Sequence, residues 1–208
     1  MLLNQFPEPS AFAEHAKQAN VIPVCMEILA DTETPVSLLR KFYRNASPVF
    51  LFESVEGGER WGRYSFLGVS ARSQFLVYPE DVVVKEDDRE ERRPHNGAPF
   101  DLLRRQMQGY RPADIPGLPR FWGGMVGYLA YESVAFIEAI PHNWPSEKPL
   151  AHFVVPDALI VFDNVRHTLM AIAIALSLIH ISEPTRPRLV SRMPSSAGKQ
   201  GGGGGGGG

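Results

Sequence analysis

Residues 155–175 read VPDALIVFDNVRHTLMAIAIA, two apolar runs separated by a polar break. The first run begins at Ala151 and ends at Asp163-Asn164, and the second covers Thr168 to Ala175. Valine, isoleucine and phenylalanine suit a pleated, half-buried surface. Aspartate and asparagine suit a turn, because their short side chains bond the backbone just ahead. The pattern predicts a β-hairpin with Asp163 to His167 at its turn.

Working outward, residues 121–131 read FWGGMVGYLAY. Their glycines are read as structural, permitting a tight bend and close backbone approach between packed layers. Tyr64–Val69, Gln74–Tyr78 and Val82–Lys85 alternate as three short strands of an antiparallel meander. Between that meander and a helix over Phe100–Met107 lies EDDREERRPHNGA, residues 86–98. Its mixed charges predict a solvated loop. Nearer the N-terminus, Pro9–Gln18 is expected to be a short helix capped by Ser10, and Val21–Leu29 a strand. Thr34-Pro35 then starts a second helix with Leu38, Leu39 and Phe42 on its apolar face. Phe50–Ser54 is a further short strand, followed by a tight turn at Gly57-Gly58 and a return through Tyr64 and Phe66. Strands in meanders with interposed helices predict an α+β fold, a layered antiparallel β-sheet with flanking helices.

Composition narrows the class of function. The chain has 208 residues, 44% hydrophobic and 21% charged, as in an ordinary globular domain. A formal charge of −2 argues against a nucleic-acid binder. The single cysteine, Cys25, excludes an internal disulfide framework and suits a reducing, cytoplasmic setting. It sits in an apolar run and is expected to be a buried small hydrophobe. The N-terminus lacks the pattern of a secretory signal. The longest apolar run, Leu169 to Leu178, falls short of the ~20 residues that cross a bilayer, so no membrane association is expected. From Leu176 onward the text changes to LSLIHISEPTRPRLVSRMPSSAGKQ and eight glycines. That low-complexity shift looks like translated sequencing-adapter and homopolymer sequence. Residues 1–175 are therefore read as the domain and 176–208 as a non-native, disordered tail.

Chemistry-bearing motifs are few. Six scattered histidines give no zinc spacing, and neither a P-loop, a dinucleotide fingerprint nor a nucleophile elbow is present. Asp157 and Glu132 stand as single carboxylates without a sequence partner. The strand that ends in Glu53-Ser54 is different. A carboxylate accepts from an ammonium group, and a hydroxyl both donates and accepts. With backbone groups freed at a strand end, this set suits the polar ends of a free amino acid, while Leu51 and Phe52 face its side chain or the core. An ordinary solvated strand terminus has the same composition.

Three ordered blocks, FLFESVEGGERWGRYSFLG, PGLPRFWGGMVGYLAYESV and PDALIVFDNVRHTLMAIA, together resemble the N-terminal region of anthranilate synthase component I. The resemblance covers roughly Val24 to Ala175. It implies an incomplete chorismate-synthase-like α/β/β/α fold. Full-length members make anthranilate and pyruvate from chorismate and ammonia, the first committed step of tryptophan biosynthesis. Magnesium assists, bound by a C-terminal domain, and a glutamine amidotransferase subunit supplies ammonia. The family's L-L-E-S motif, part of the tryptophan feedback site, falls here on Leu51-Phe52-Glu53-Ser54, so the resemblance implies L-tryptophan contacts at Leu51, Glu53 and Ser54. Phe52 departs from the family leucine and puts feedback sensitivity in question. The positions of the catalytic domain are missing, so no catalytic or metal-binding residue carries over, and the fragment is expected to be inactive. The alternatives are a fragment of aminodeoxychorismate synthase component I, from the folate pathway, and a stand-alone amino-acid-binding module.

Overall fold

A computed structural model of the chain describes residues 2–43, 48–53, 62–138 and 143–176. Nine strands are described: β1 Leu2–Phe6, β2 Val21–Leu29, β3 Phe50–Phe52, β4 Tyr64–Val77, β5 Asp81–Glu86, β6 Arg89–Pro94, β7 Val126–Leu129, β8 Ala151–Asp163 and β9 Thr168–Leu176. Three helices accompany them: α1 Pro9–His15, α2 Pro35–Phe42 and α3 Pro99–Gln108, with a 3-10 turn over Tyr131–Phe136. All pairings between these strands are antiparallel, in the order β1-β2-β9-β8-β4-β5-β6. β3 adds to β4 and β7 adds to β8. The α+β layered class expected from the sequence is the class observed.

The architecture turns on β4 and β8, which run side by side from Tyr64↔Asp163 to Val77↔Ala151. Each changes its outer neighbour halfway along. β4 pairs with β3 over Gly68–Phe66 and with β5 over Ser73–Val77. β8 pairs with β7 over Ala151–Val154 and with β9 over Ala158–Asp163. The change falls at Pro156, which lacks a backbone N–H and so cannot donate to a ladder. Opposite it, β4 shifts register between Gly68 and Ser73, the local irregularity that lets a long strand bend. The sheet therefore forks into two wings around residues 70–72 and 155–157.

Both faces of the first wing are apolar. One face carries Cys25, Leu159, Val161, Ile172 and Ile174, with Tyr110, Leu118, Phe121 and Trp122 packed over them. The other carries Leu67, Ile160, Phe162 and Leu169, covered by Leu38 and Leu39 of α2. On the second wing, Leu102 and Leu103 of α3 pack on Phe75, Val77 and Val82. Strands buried on both faces read as continuous apolar runs, which is why the β8–β9 hairpin is so clear in the sequence. His167 takes φ 53° at its turn.

Several expectations need correction. Tyr64–Val69 and Gln74–Tyr78 are one bulged strand, β4, not two. Residues 89–94 form the edge strand β6, exposed at every residue, where charged side chains blunt an unpaired edge. β1 was not anticipated, and β9 extends one residue past the expected boundary, with Leu176 opposite Val21. α1 is not capped by Ser10: Glu8 holds the N-cap position without a side-chain bond, and Pro9 begins the helix. Asp157 does have a partner, since the Ser70 hydroxyl donates to its Oδ1. Thr34, by contrast, caps α2 as expected, in a reciprocal box with Ser37. The Gly57-Gly58 turn and the tail from 177 lie outside the described residues.

Candidate functional site

β3 is a three-residue strand hung on the outer edge of β4, in register Phe50↔Gly68, Leu51↔Leu67 and Phe52↔Phe66. Gly68 makes the pairing possible: a Cβ there would sit 2.2 Å from Phe50 Cε1. Successive residues of a strand point to opposite faces. Leu51 accordingly packs with the α2-side cluster around Leu38, Leu67 and Phe162. Phe50 packs on the opposite face, its ring centroid 5.3 Å from that of Phe52. Phe52 is 51% exposed, and Glu53 is exposed where the strand ends. Ser54, the third candidate contact, lies outside the described residues. The structure thus puts Glu53 at an open strand end and Leu51 on the core side of the same strand.

The return strand is held by groups that sequence spacing did not pair. Arg63 donates from Nε at 3.0 Å and Nη2 at 2.6 Å to Asp163 Oδ2. Asp163 Oδ1 accepts the backbone N–H of Val165 and Arg166. Asn164 donates from its backbone to the Arg63 carbonyl, and from Nδ2 to the Gly62 carbonyl and the Ser65 hydroxyl. The β8–β9 turn is therefore stapled to residues 62–65. Burial alone would raise the Asp163 pKa, but the hydrogen bonds from Arg63, Arg166 and Val165 outweigh it and hold the carboxyl below its usual range. Hydrogen bonding to Asp163 in turn raises Arg63. Asp163-Asn164 was legible as a turn; its Arg63 partner, 100 residues away, left no local signal.

The glycine-rich segment is structural in a specific way. A Cβ on Gly127 would lie 2.0 Å from the His152 carbonyl oxygen, so only glycine lets β7 lie against β8 here. Gly124 takes φ +113°. Cys25 is fully buried, and burial pushes its thiol up to about 12, the opposite of an activated nucleophile. Among the described residues, no three His, Cys, Asp or Glu side chains gather to hold a metal ion. None of the described helices is long and apolar enough to cross a membrane.

Taken together these features define an α+β layered domain with an open polar end on β3 and a return strand stapled to its central hairpin. By sequence the chain is homologous to anthranilate synthase component 1. It is 40% identical over 157 residues to that protein from Acetivibrio thermocellus, covering 73% of this chain and 31% of the relative. The Pseudomonas aeruginosa protein of the same name is 38% identical over 160 residues, covering 75% and 32%. The Synechocystis protein is 37% identical over 174 residues, covering 81% and 34%. The chain thus spans about a third of the length of the curated relatives it matches. A crystal structure of anthranilate synthase component I from Streptococcus pneumoniae aligns with TM-score 0.41 and 18% identity, over 74% of this chain and 32% of that one. No protein-family model matches the chain.

Proposed function

We propose that the chain is the N-terminal, regulatory portion of an anthranilate synthase component I, a cytoplasmic enzyme that makes anthranilate and pyruvate from chorismate and ammonia. The observation that carries this is homology to proteins of that name across three quarters of the chain, at only a third of their length. The same names favour the tryptophan branch over the folate branch. Chorismate, magnesium and the amidotransferase subunit then belong with the remaining two thirds of such an enzyme.

In this reading the end of β3 is half of a tryptophan site. The exposed Glu53 carboxylate accepts the ligand ammonium, the Ser54 hydroxyl bonds its polar end, and Leu51 supports the strand from the core side. The Asp163 staple fixes residues 62–65 relative to the sheet. Three assays test this. The chain alone, given chorismate, magnesium and ammonium, should form no anthranilate; turnover at enzyme-like rates would overturn the proposal. A chimera joining residues 1–175 to the remaining two thirds of the Acetivibrio thermocellus relative should make anthranilate and be inhibited by tryptophan, with inhibition lost in Ser54→Ala. Calorimetry on the isolated chain should show little tryptophan binding, and tight binding would point to a stand-alone amino-acid-binding module.

A further inference from the structure

The fork in the sheet opens a cavity of about 300 Å³ on the face that carries α3, with no residue of β3 in its lining. Its floor is the place where β8 changes partner, Val155-Pro156, and its walls include Ile174, Met107, Tyr110 and Trp122. Arg72 enters from the irregular part of β4. Splitting a sheet frees backbone groups that a ladder would otherwise pair. One of them, the Ile174 carbonyl, accepts from Arg72 Nη2 at 2.8 Å, and that bond fixes the guanidinium at the cavity wall. A guanidinium has five N–H donors. Among the described residues, no carboxylate forms a salt bridge with Arg72. Asp157, the nearest acid along β8, is engaged by Ser70. The cavity is thus an apolar, aromatic-walled space with one half-buried cation holding spare donors, and none of its lining residues is acidic.

We infer that this fork cavity binds a small aromatic monocarboxylate that carries no ammonium group, with Arg72 holding the carboxylate and the Tyr110 and Trp122 rings flanking the body. Apolar walls with one convergent charge are the usual make-up of a small-molecule site. A carboxylate matches the planar donor fork of arginine. An α-amino acid is disfavoured, because its ammonium would be desolvated with no acid among the lining residues to meet it. Burial raises the Tyr110 pKa, with the Glu86 charge adding to it and Arg72 and a Ser73 hydrogen bond opposing; the phenol therefore stays protonated at neutral pH. Gly123 keeps one wall thin, since a Cβ there would stand 3.1 Å from Ile174 Cδ1.

The test titrates the 208-residue chain with phenylacetate, phenylacetamide and L-phenylalanine, following backbone amide shifts. Phenylacetate should bind in the low millimolar range and shift Gly123, Gly124 and Ile174. The neutral amide and the amino acid should each bind about tenfold more weakly, the size of one lost charge-assisted interaction. Arg72→Gln should erase the preference for acid over amide, and Arg72→Lys should retain it. If Arg72→Gln does not fold, the comparison of the three ligands on the unaltered chain decides. Equal binding of acid and amide, equal binding of L-phenylalanine, shifts centred on Glu53, or no shifts at all would each overturn the inference.

Discussion

Asp163 illustrates how one side chain at a turn governs a distant segment. Its two oxygens divide the work: Oδ1 closes its own turn, and Oδ2 takes both donors from Arg63. Because its pKa is lowered in the folded state, its contribution to stability is present above the unfolded value of about 3.9. It is lost as pH falls through the lowered folded value. Asp163→Asn should cost about 1–2 kcal/mol at neutral pH, a figure discounted for the partly exposed Arg63. The gap between variant and wild type should close as pH drops below about 4. Denaturant melts at a series of pH values measure it; a gap independent of pH would contradict the assignment. Gly127 fails differently. A methyl group there meets a backbone carbonyl, which cannot rotate away, so Gly127→Ala should cost about 3 kcal/mol in the same melts. Gly109→Ala is the control, since its nearest contact to a Cβ is 3.9 Å.

At the scale of elements, α2 shows a helix specified locally and used globally. Thr34 accepts from the Ser37 N–H, the Ser37 hydroxyl accepts from the Thr34 N–H, and Pro35 supplies a fixed φ at the first helical position. Its inward face then delivers Leu38 and Leu39 to the cluster that also receives Leu51. Thr34→Ala should lower stability by about 1 kcal/mol, and Thr34→Ser should recover most of that in thermal melts. Equal loss in both variants would show that the cap bond is not what holds the helix.

Elements governed by such local rules were legible in the sequence: α2, α3, β2 and the β8–β9 hairpin. The misread elements depend on position in the sheet. Nothing in REERRP distinguishes an exposed loop from an edge strand; its pairing with the apolar β5 decides. Likewise the polar break at Ser70–Ser73 reads as a loop, until β8 is seen to cross it with Pro156 opposite Ala71. For the candidate site, the strand end at Glu53 was readable, while the Arg63–Asp163 staple and the fork cavity bring together residues far apart in sequence.

At the scale of the whole molecule, the sheet is covered unevenly. On the α2 side, the helix shields Leu67, Ile160, Phe162 and Leu169. It leaves an apolar groove toward the other end of the wing, lined by Val24, Met26, Val69, Ala158 and Ala173, with Phe42 at its rim. Met26 and Val24 lie opposite Ala171 and Ala173 across the β2–β9 ladder, so they project from one face. Met26 is 44% exposed. Contiguous apolar surface of this kind drives association when it has no cover, and this chain matches only about a third of the length of its relatives. The isolated chain should therefore bind an apolar dye such as ANS and sediment as a concentration-dependent mixture. Met26→Lys places a charge in the middle of the groove, at the cost of one partly buried methionine contact per interface. It should weaken self-association by about tenfold while leaving the melting of the folded chain nearly unchanged, because Met26 is already half in solvent. A single monomer species at high concentration, with no dye binding, would show that the groove is closed in solution.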